Sequence, residues 1–392
     1  MRIAYITPYK GPSLLERRPC TGNLSLSNKV KIEQISQALR ALGHDLEIIS
    51  EGEPFLYQNK YYPGFQEPKG FHPDIPIHYA SSFSARYLKG FWCKWQMVRL
   101  FQALHRRLPF DLVISFNMLP GHNSCAAYAA RRLGLPVILE YEDDVFVNVF
   151  GQNIPGLRAR FYQNACRRTL RLISGGIAVS PHLSSQFRAG IPKLLLRGTV
   201  GADIADADCL PDEAKKNWIV YSGTHINSNG IEQLIQGYSR LKPVGWELHI
   251  TGHGGNTEEL KKLAAPISGI VFHGLVSRQE LVSLLRSARI CINPADVSMT
   301  PGNVFPFKII EYLAAGAHVV STPLGVLEKD IECGISYIPN NEPDTIAAGL
   351  DQSIRERRWD INVSESITAT YGPEALAKSL NELLAQVMAR SG

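Results

Sequence analysis

The 392-residue sequence lacks any apolar run of the roughly 18–20 residues needed to cross a bilayer, which argues against an integral helical membrane protein. Its first residues, MRIAYITPYK, are apolar only briefly and read as a first β-strand rather than a secretory leader. Cysteine is sparse and unpatterned. The seven stand at 20, 93, 125, 166, 209, 291 and 333 with no CxxC pair, which argues against a disulfide framework or a zinc site. A reducing, cytoplasmic compartment follows, and no metal is expected. Excess charge is lacking too: a formal net charge of +5 demands no nucleic-acid partner, and none is expected. Hydrophobic residues at 45% and charged residues at 20% are ordinary for a globular chain, and the length favours two or three domains.

What is present is strand–helix alternation, twice over. RIAYIT (2–7), DLEIIS (45–50), FDLVISF (110–116) and PVILEY (136–141) read as buried strands, and LRLISGGIAVS (170–180) closes the series with another. Helices are expected at 29–44 and 122–134, and a long irregular insertion at 51–82. A second series begins near Trp218, with strands at 218–223, 246–252, 269–274, 289–294 and 317–322 and helices at 230–241, 256–265 and 277–288. Such alternation implies an α/β fold of two doubly wound, Rossmann-like domains with parallel sheets, joined by a linker near 197–215. In that class ligands bind outside the carboxyl ends of the strands, and with two domains facing a central cleft the cleft is the default site.

Four loops at expected strand ends are rich in glycine or polar residues: PCTGNLSLSN (19–28), SGTHINSNG (222–230), TGHGGN (251–256) and PADVSMTPGNVFPFK (294–308). Helix N-termini entered through glycine offer free N–H donors and a positive dipole end, which suits phosphate oxygens. Pro306 fits the first turn of the helix after the fourth loop, and Lys308 and Glu311, three apart, share a helix face. Lys308 in that turn can reach an anion at the helix end. Glu311 offers two acceptor oxygens suited to a vicinal diol such as a ribose. The plain alternative is an ion pair between the two on a solvated helix. Ile309, Ile310, Leu313 and Ala314 argue that the helix is buried, and buried charges need partners. LEYEDDVF (139–146) sets Glu142, Asp143 and Asp144 in succession at another strand end. SARYLKGFWCKWQMVRLFQALHRRL (84–108) mixes six Lys or Arg with aromatics; it reads as an amphipathic surface helix, with an anionic membrane surface as a candidate partner.

EYLAAGAHVVST, following Lys308, together with QALRALGHDLEIIS, LGLPVILEYEDD, LHITGHGG and VFHGLVSRQELVSLLRSARICINPA in order, resembles the retaining GT-B glycosyltransferases of family 4. The resemblance covers most of the chain. It implies an acceptor-side domain at 1–200, a nucleotide-sugar-binding domain at 201–372, and a terminal helix at 373–392 returning to the first domain. In that family a Glu-x7-Glu motif precedes a small-residue run, and its second Glu falls on Glu311. The first falls on Asn303, and Lys308 matches a P-x-K-x-x-E variant of the motif. Thr224 and Asn229 stand where the family usually has an Arg and a Lys on the diphosphate. Glu142 and Asp143 stand where it often has a His-Asp pair beside the reacting sugar.

Carried over residue by residue, the resemblance makes Glu142, Asp143, Lys308 and Asn303 the catalytic candidates. Gly223, Thr224, Asn229, Gly252, His253, Val304, Phe305 and Glu311 would line the donor site, with His273 and Val276 near the base and Thr21, Gly22 and Asn23 closing from the first domain. His253 and His225 read as polar loop residues rather than bases. The implied activity is retaining, metal-independent transfer of a sugar from a UDP- or GDP-sugar to a glycan or lipid-linked saccharide in surface polysaccharide or glycoconjugate assembly. The nucleotide sugar is then a co-substrate and no cofactor is required. The enzyme would be cytoplasmic, at the inner face of the membrane. The alternatives are a nucleotide-sugar epimerase or a phosphorylase on the same fold, a degenerate nucleotide-binding scaffold, and a two-domain solute-binding protein.

Overall fold

A computed structural model describes residues 1–18, 26–52, 58–85, 88–146, 156–206, 209–298, 306–323, 334–356 and 361–390. The chain divides into two compact units, Met1–Arg197 with Leu376–Gly392, and Gly198–Ala375. Both are α/β, built on parallel sheets of Rossmann type.

The strands of the first unit are β1 (Arg2–Ile6), β2 (Asp45–Ser50), β3 (Tyr61–Tyr62), β4 (Phe65–Gln66), β5 (Ile77–Tyr79), β6 (Ser82–Phe83), β7 (Leu112–Phe116), β8 (Val137–Tyr141), β9 (Gly175–Ala178) and β10 (Lys193–Leu195). Eight of them form one sheet in the order β10-β9-β8-β7-β1-β2-β5-β4, where β4 alone runs antiparallel, against β5. β3 and β6 make a separate antiparallel pair. β1, β7 and β8 are mostly apolar and buried throughout, as strands of a parallel sheet covered on both faces are. The helix Pro373–Ala389 belongs to the same core: Leu376, Leu380, Leu383, Leu384 and Val387 pack with Ile3, Ile35 and Ile114 at helical spacing. Burying five such side chains is worth on the order of 10 kcal/mol before entropy is charged against it.

Two expectations are corrected. The stretch 51–82, expected to be irregular, contributes β5 beside β2 in the main sheet. Its Pro and Tyr content hid strands only two or three residues long. The expected strand 170–180 is half helix: Gly156–Leu172 is helical and β9 begins only at Gly175.

In the second unit β11 (Lys216–Ser222), β12 (Glu247–Thr251), β13 (Ile270–Gly274), β14 (Ala288–Asn293), β15 (His318–Ser321) and β16 (Ile335–Tyr337) form one parallel sheet ordered β13-β12-β11-β14-β15-β16. The strand order reverses between β11 and β14, and in doubly wound sheets the carboxyl edge at such a reversal is where ligands bind. Apolar clusters fill both faces of the sheet, with Ile309, Ile310 and Leu313 of the helix Phe307–Ala314 in one of them. Among the described residues no helix is long and apolar enough to cross a membrane.

Candidate functional site

In the second unit the loops after β11, β12 and β14 press backbone against backbone. Gly252 has φ +126°, and a Cβ there would collide with the carbonyl oxygen of Gly223. Gly230 has φ +68°, and its Cβ would collide with the carbonyl oxygen of Pro294. Only glycine meets both conditions, and that is why these loops carry it. Hydrogen bonds tie the three together: Gly223 N to Thr251 O at 3.1 Å, His225 N to His253 O at 3.2 Å, and Asp296 N to Ser228 O at 2.9 Å. Asn229 Nδ2 donates to Thr224 O at 2.6 Å, so the two residues at the family's cation positions close their own turn.

Lys308 stands on the helix that follows the third of these loops. Its ammonium lies 4.5 Å from the Tyr221 ring centroid and 3.6 Å from where a Cβ on Gly223 would be. No carboxylate among the described residues pairs with it, and burial alone lowers its pKa to about 7. Tyr312, one turn on, bridges Ser222 at the end of β11, its hydroxyl accepting from Ser222 N at 2.8 Å and donating to Ser222 O at 3.1 Å. That bridge ties the helix to the end of β11, just before Gly223.

Glu311 is not paired with Lys308. Its Oε1 accepts from Arg278 Nη1 at 2.6 Å, and Arg278 in turn grips Asp203 through Nε at 2.5 Å and Nη2 at 3.1 Å. Burial raises the Glu311 carboxyl above its ordinary value, against the opposing charge of Arg278. His225 is wholly buried, its pKa lowered by desolvation, with Nδ1 3.0 Å from Thr257 Oγ1; His253 is exposed. His273 on β13 lies beside His249 on β12, ring nitrogens 2.8 Å apart and rings stacked, and Val276 is half-buried in the loop that follows β13. Thr21, Gly22, Asn23, Asn303, Val304 and Phe305 lie outside the described residues.

In the first unit the acidic run after β8 is divided among three partners. Glu142 is drawn to Lys31, whose ammonium also lies 3.7 Å from the fully buried Glu140. Tyr5 donates to the other oxygen of Glu140, and burial pushes the Glu140 carboxyl well up. Asn117, at φ +49° just past β7, accepts from Glu142 N at 2.7 Å and Asp143 N at 3.2 Å and donates to Asp143 Oδ2 at 2.9 Å. Asp143 stays exposed, its pKa raised by partial burial and by the charge of Glu142. Burial works against ionising Asp144, but hydrogen bonds from His182 at 2.6 Å, the Phe146 amide and Gln186 prevail and hold its carboxyl low. Among the described residues no group of three or more His, Cys, Asp or Glu could hold a metal ion.

Sequence reading missed Arg278, Asp203, Lys31 and Asn117. Arg278 and Lys31 fell within the expected helices 277–288 and 29–44, and Asp203 within the expected linker 197–215, with no local mark of a charged partner. Only Asn117, directly after a strand, carried a signal. The helix Lys89–Arg107 buries Cys93, Met97, Phe101 and Leu104 and leaves Phe91 72% and Trp95 44% exposed beside Lys94 and Arg99, with Leu88 exposed just ahead of it. Arg86 lies outside the described residues.

Residues 216–356 match the family model described as "Glycosyl transferases group 1", and residues 29–193 match "Glycosyl transferase 4-like domain". No curated protein sequence matches the chain. Among solved structures, sucrose-phosphate synthase from Thermosynechococcus elongatus aligns over 99% of each chain with a TM-score of 0.71 and 16% identity. HepE of Anabaena in complex with UDP and glucose aligns over 98% of this chain and 99% of that one, with a TM-score of 0.65 and 14% identity. The lipopolysaccharide outer core galactosyltransferase WaaB, in its apo form, gives the same coverage with a TM-score of 0.64 and 14% identity. At these identities the likenesses establish the fold, GT-B. With both family segments matched across most of its length, the chain belongs to the GT4-like glycosyltransferases.

Proposed function

We propose that this chain transfers a sugar from a nucleoside-diphosphate sugar to a hydroxyl of a glycan or lipid-linked saccharide, with retention of configuration at the anomeric carbon. The observation that carries the proposal is Lys308: a part-buried ammonium with no carboxylate partner among the described residues, at the edge where three glycine-bearing loops meet. In the reaction the bond from C1 to the diphosphate oxygen breaks, and the sugar passes through an oxocarbenium-like state. The acceptor oxygen then bonds to C1, and its proton leaves to the departing diphosphate oxygen. Lys308 and backbone N–H groups of the loops stabilise the charge that builds on the diphosphate, and the proposal gives a metal no part in this. Asn303 would face the donor sugar, His273 and Val276 the base, and Thr21, Gly22 and Asn23 the diphosphate or acceptor.

On the acceptor side the proposal favours Asp143 over Glu142. Glu142 is committed to Lys31, whereas Asp143 is exposed and held in place by Asn117. A UDP-sugar donor draws support from the UDP- and glucose-bound HepE structure. The exposed aromatics among basic residues on Lys89–Arg107 support a lipid-linked acceptor met at the inner face of a membrane, in surface polysaccharide assembly.

The test is a screen of UDP- and GDP-sugars for slow donor hydrolysis, read as release of free sugar and nucleoside diphosphate. One donor hydrolysed by the wild type and not by Lys308→Met supports the proposal. Tight nucleotide binding with no turnover of any donor would instead favour a degenerate scaffold, a reading that Thr224 and Asn229 at the family's cation positions make specific.

A further inference from the structure

Glu311 is expected to hold a ribose, yet it lies in a three-membered charged chain that no local sequence pattern announces. Arg278 is the first residue of the helix Arg278–Ser287, whose start is locked by a capping box between Ser277 and Glu280. Its guanidinium uses two nitrogens on Asp203 and the third on Glu311. The three residues come from three segments of the second unit: the short helix Ala202–Ala205, the start of the helix Arg278–Ser287, and the helix Phe307–Ala314. Glu311 has a side chain only 10% exposed, and Arg278 contacts one of its two oxygens. Oε2 has no protein donor among the described residues.

The geometry points to Arg278 as a positioning residue of the donor site: clamped by Asp203, it fixes the Glu311 carboxylate so that Oε2 is presented to a ribose hydroxyl of a nucleoside diphosphate. This rests on the donor reading above and adds a residue to it. The planar fork is what the arrangement requires, because a lysine offers a point charge and cannot hold both carboxylates in fixed directions. Among the described residues, Arg278 and Asp203 are the charged groups that act on Glu311. Burial favours a protonated Glu311 and Arg278 opposes that, so the guanidinium both directs the carboxylate and favours its charged, accepting form.

The experiment measures dissociation constants of UDP and 2′-deoxy-UDP, and of GDP and 2′-deoxy-GDP, by calorimetry from pH 6 to 8. Taking the ratio of ribo to deoxy affinity cancels any titration of the phosphates and of Lys308. A hydrogen bond to a charged acceptor predicts a wild-type ratio of roughly 10–100. In Arg278→Gln the ratio falls to within about threefold across this range, while deoxy affinities stay within about threefold of wild type. Asp203→Asn, a milder change that keeps the guanidinium present, shows an intermediate ratio and carries the test if Arg278→Gln does not fold. A wild-type ratio retained in both variants overturns the role of Arg278 and leaves the donor reading intact. A wild-type ratio of one overturns the assignment of Glu311 to the ribose, and this proposal with it.

Discussion

Removing the charge of Lys308 should change how nucleotide-sugar affinity depends on pH. Desolvation lowers its pKa to about 7, so the free protein is half titrated at neutrality. A diphosphate beside the ammonium stabilises the charged form, so the pKa rises on binding and a proton is taken up. Affinity is therefore full below pH 7 and is lost as pH rises. From pH 7 to 8.5 the protonated fraction falls from about one half to about one thirtieth, a loss of roughly 16-fold or about 1.6 kcal/mol. A diphosphate diester such as UDP-glucose is the right probe, because it lacks the terminal phosphate that itself titrates near pH 6. Calorimetry in two buffers of different ionisation enthalpy should report uptake of about half a proton at pH 7. Lys308→Met should bind more weakly at pH 6.5, with neither proton uptake nor slope. The same depression acts on folding. The unfolded lysine keeps its proton up to its ordinary 10.5, so the ligand-free protein gains stability as pH rises from about 7 towards that value. The slope from this residue is at most about 1.4 kcal/mol per pH unit. A buffer-independent enthalpy and a flat affinity between pH 7 and 8.5 in the wild type would refute the reasoning.

Gly252→Ala sets a Cβ against the Gly223 carbonyl at φ +126°; a cost of about 3 kcal/mol, or a melting-temperature drop of roughly 6–12 °C, is expected in a thermal scan. Lys31→Met leaves Glu140 and Glu142 without their shared cation. It should destabilise the first unit by about 3–5 kcal/mol in denaturant titrations, and a loss below 1 kcal/mol would show that the pair is solvated. Phe91→Ser combined with Lys94→Glu and Arg99→Glu, all exposed positions, should abolish co-sedimentation with vesicles containing phosphatidylserine while leaving donor hydrolysis unchanged. Wild-type protein that ignores such vesicles at low salt would remove the membrane from the account.

How much was legible beforehand follows from where each signal resides. Strands such as 2–7 and 136–141 are short apolar runs bounded by turn residues, and helices such as 277–288 carry their spacing and cap within a dozen positions. Patterns of that kind are local, so the α/β alternation and the glycine loops at strand ends could be read directly. β5 was missed because a three-residue strand has no period to detect, and its place beside β2 comes from pairing across the sheet.

The sequence by itself determined that glycine would stand where strands hand over to helices, and that Lys308 and Glu311 would share one face of a buried helix. Tertiary structure alone decided what those charges meet. Glu311 pairs with Arg278, 33 positions away, Arg278 with Asp203, 75 away, and Lys31 with Glu142, 111 away. Lys308 lies over the ring of Tyr221, a strand-end residue far from it in the chain, with no carboxylate partner among the described residues. The reason is physical: propensity and periodicity act over a few residues, whereas the energy of a buried charge depends on whatever the folded chain brings within about 4 Å of it.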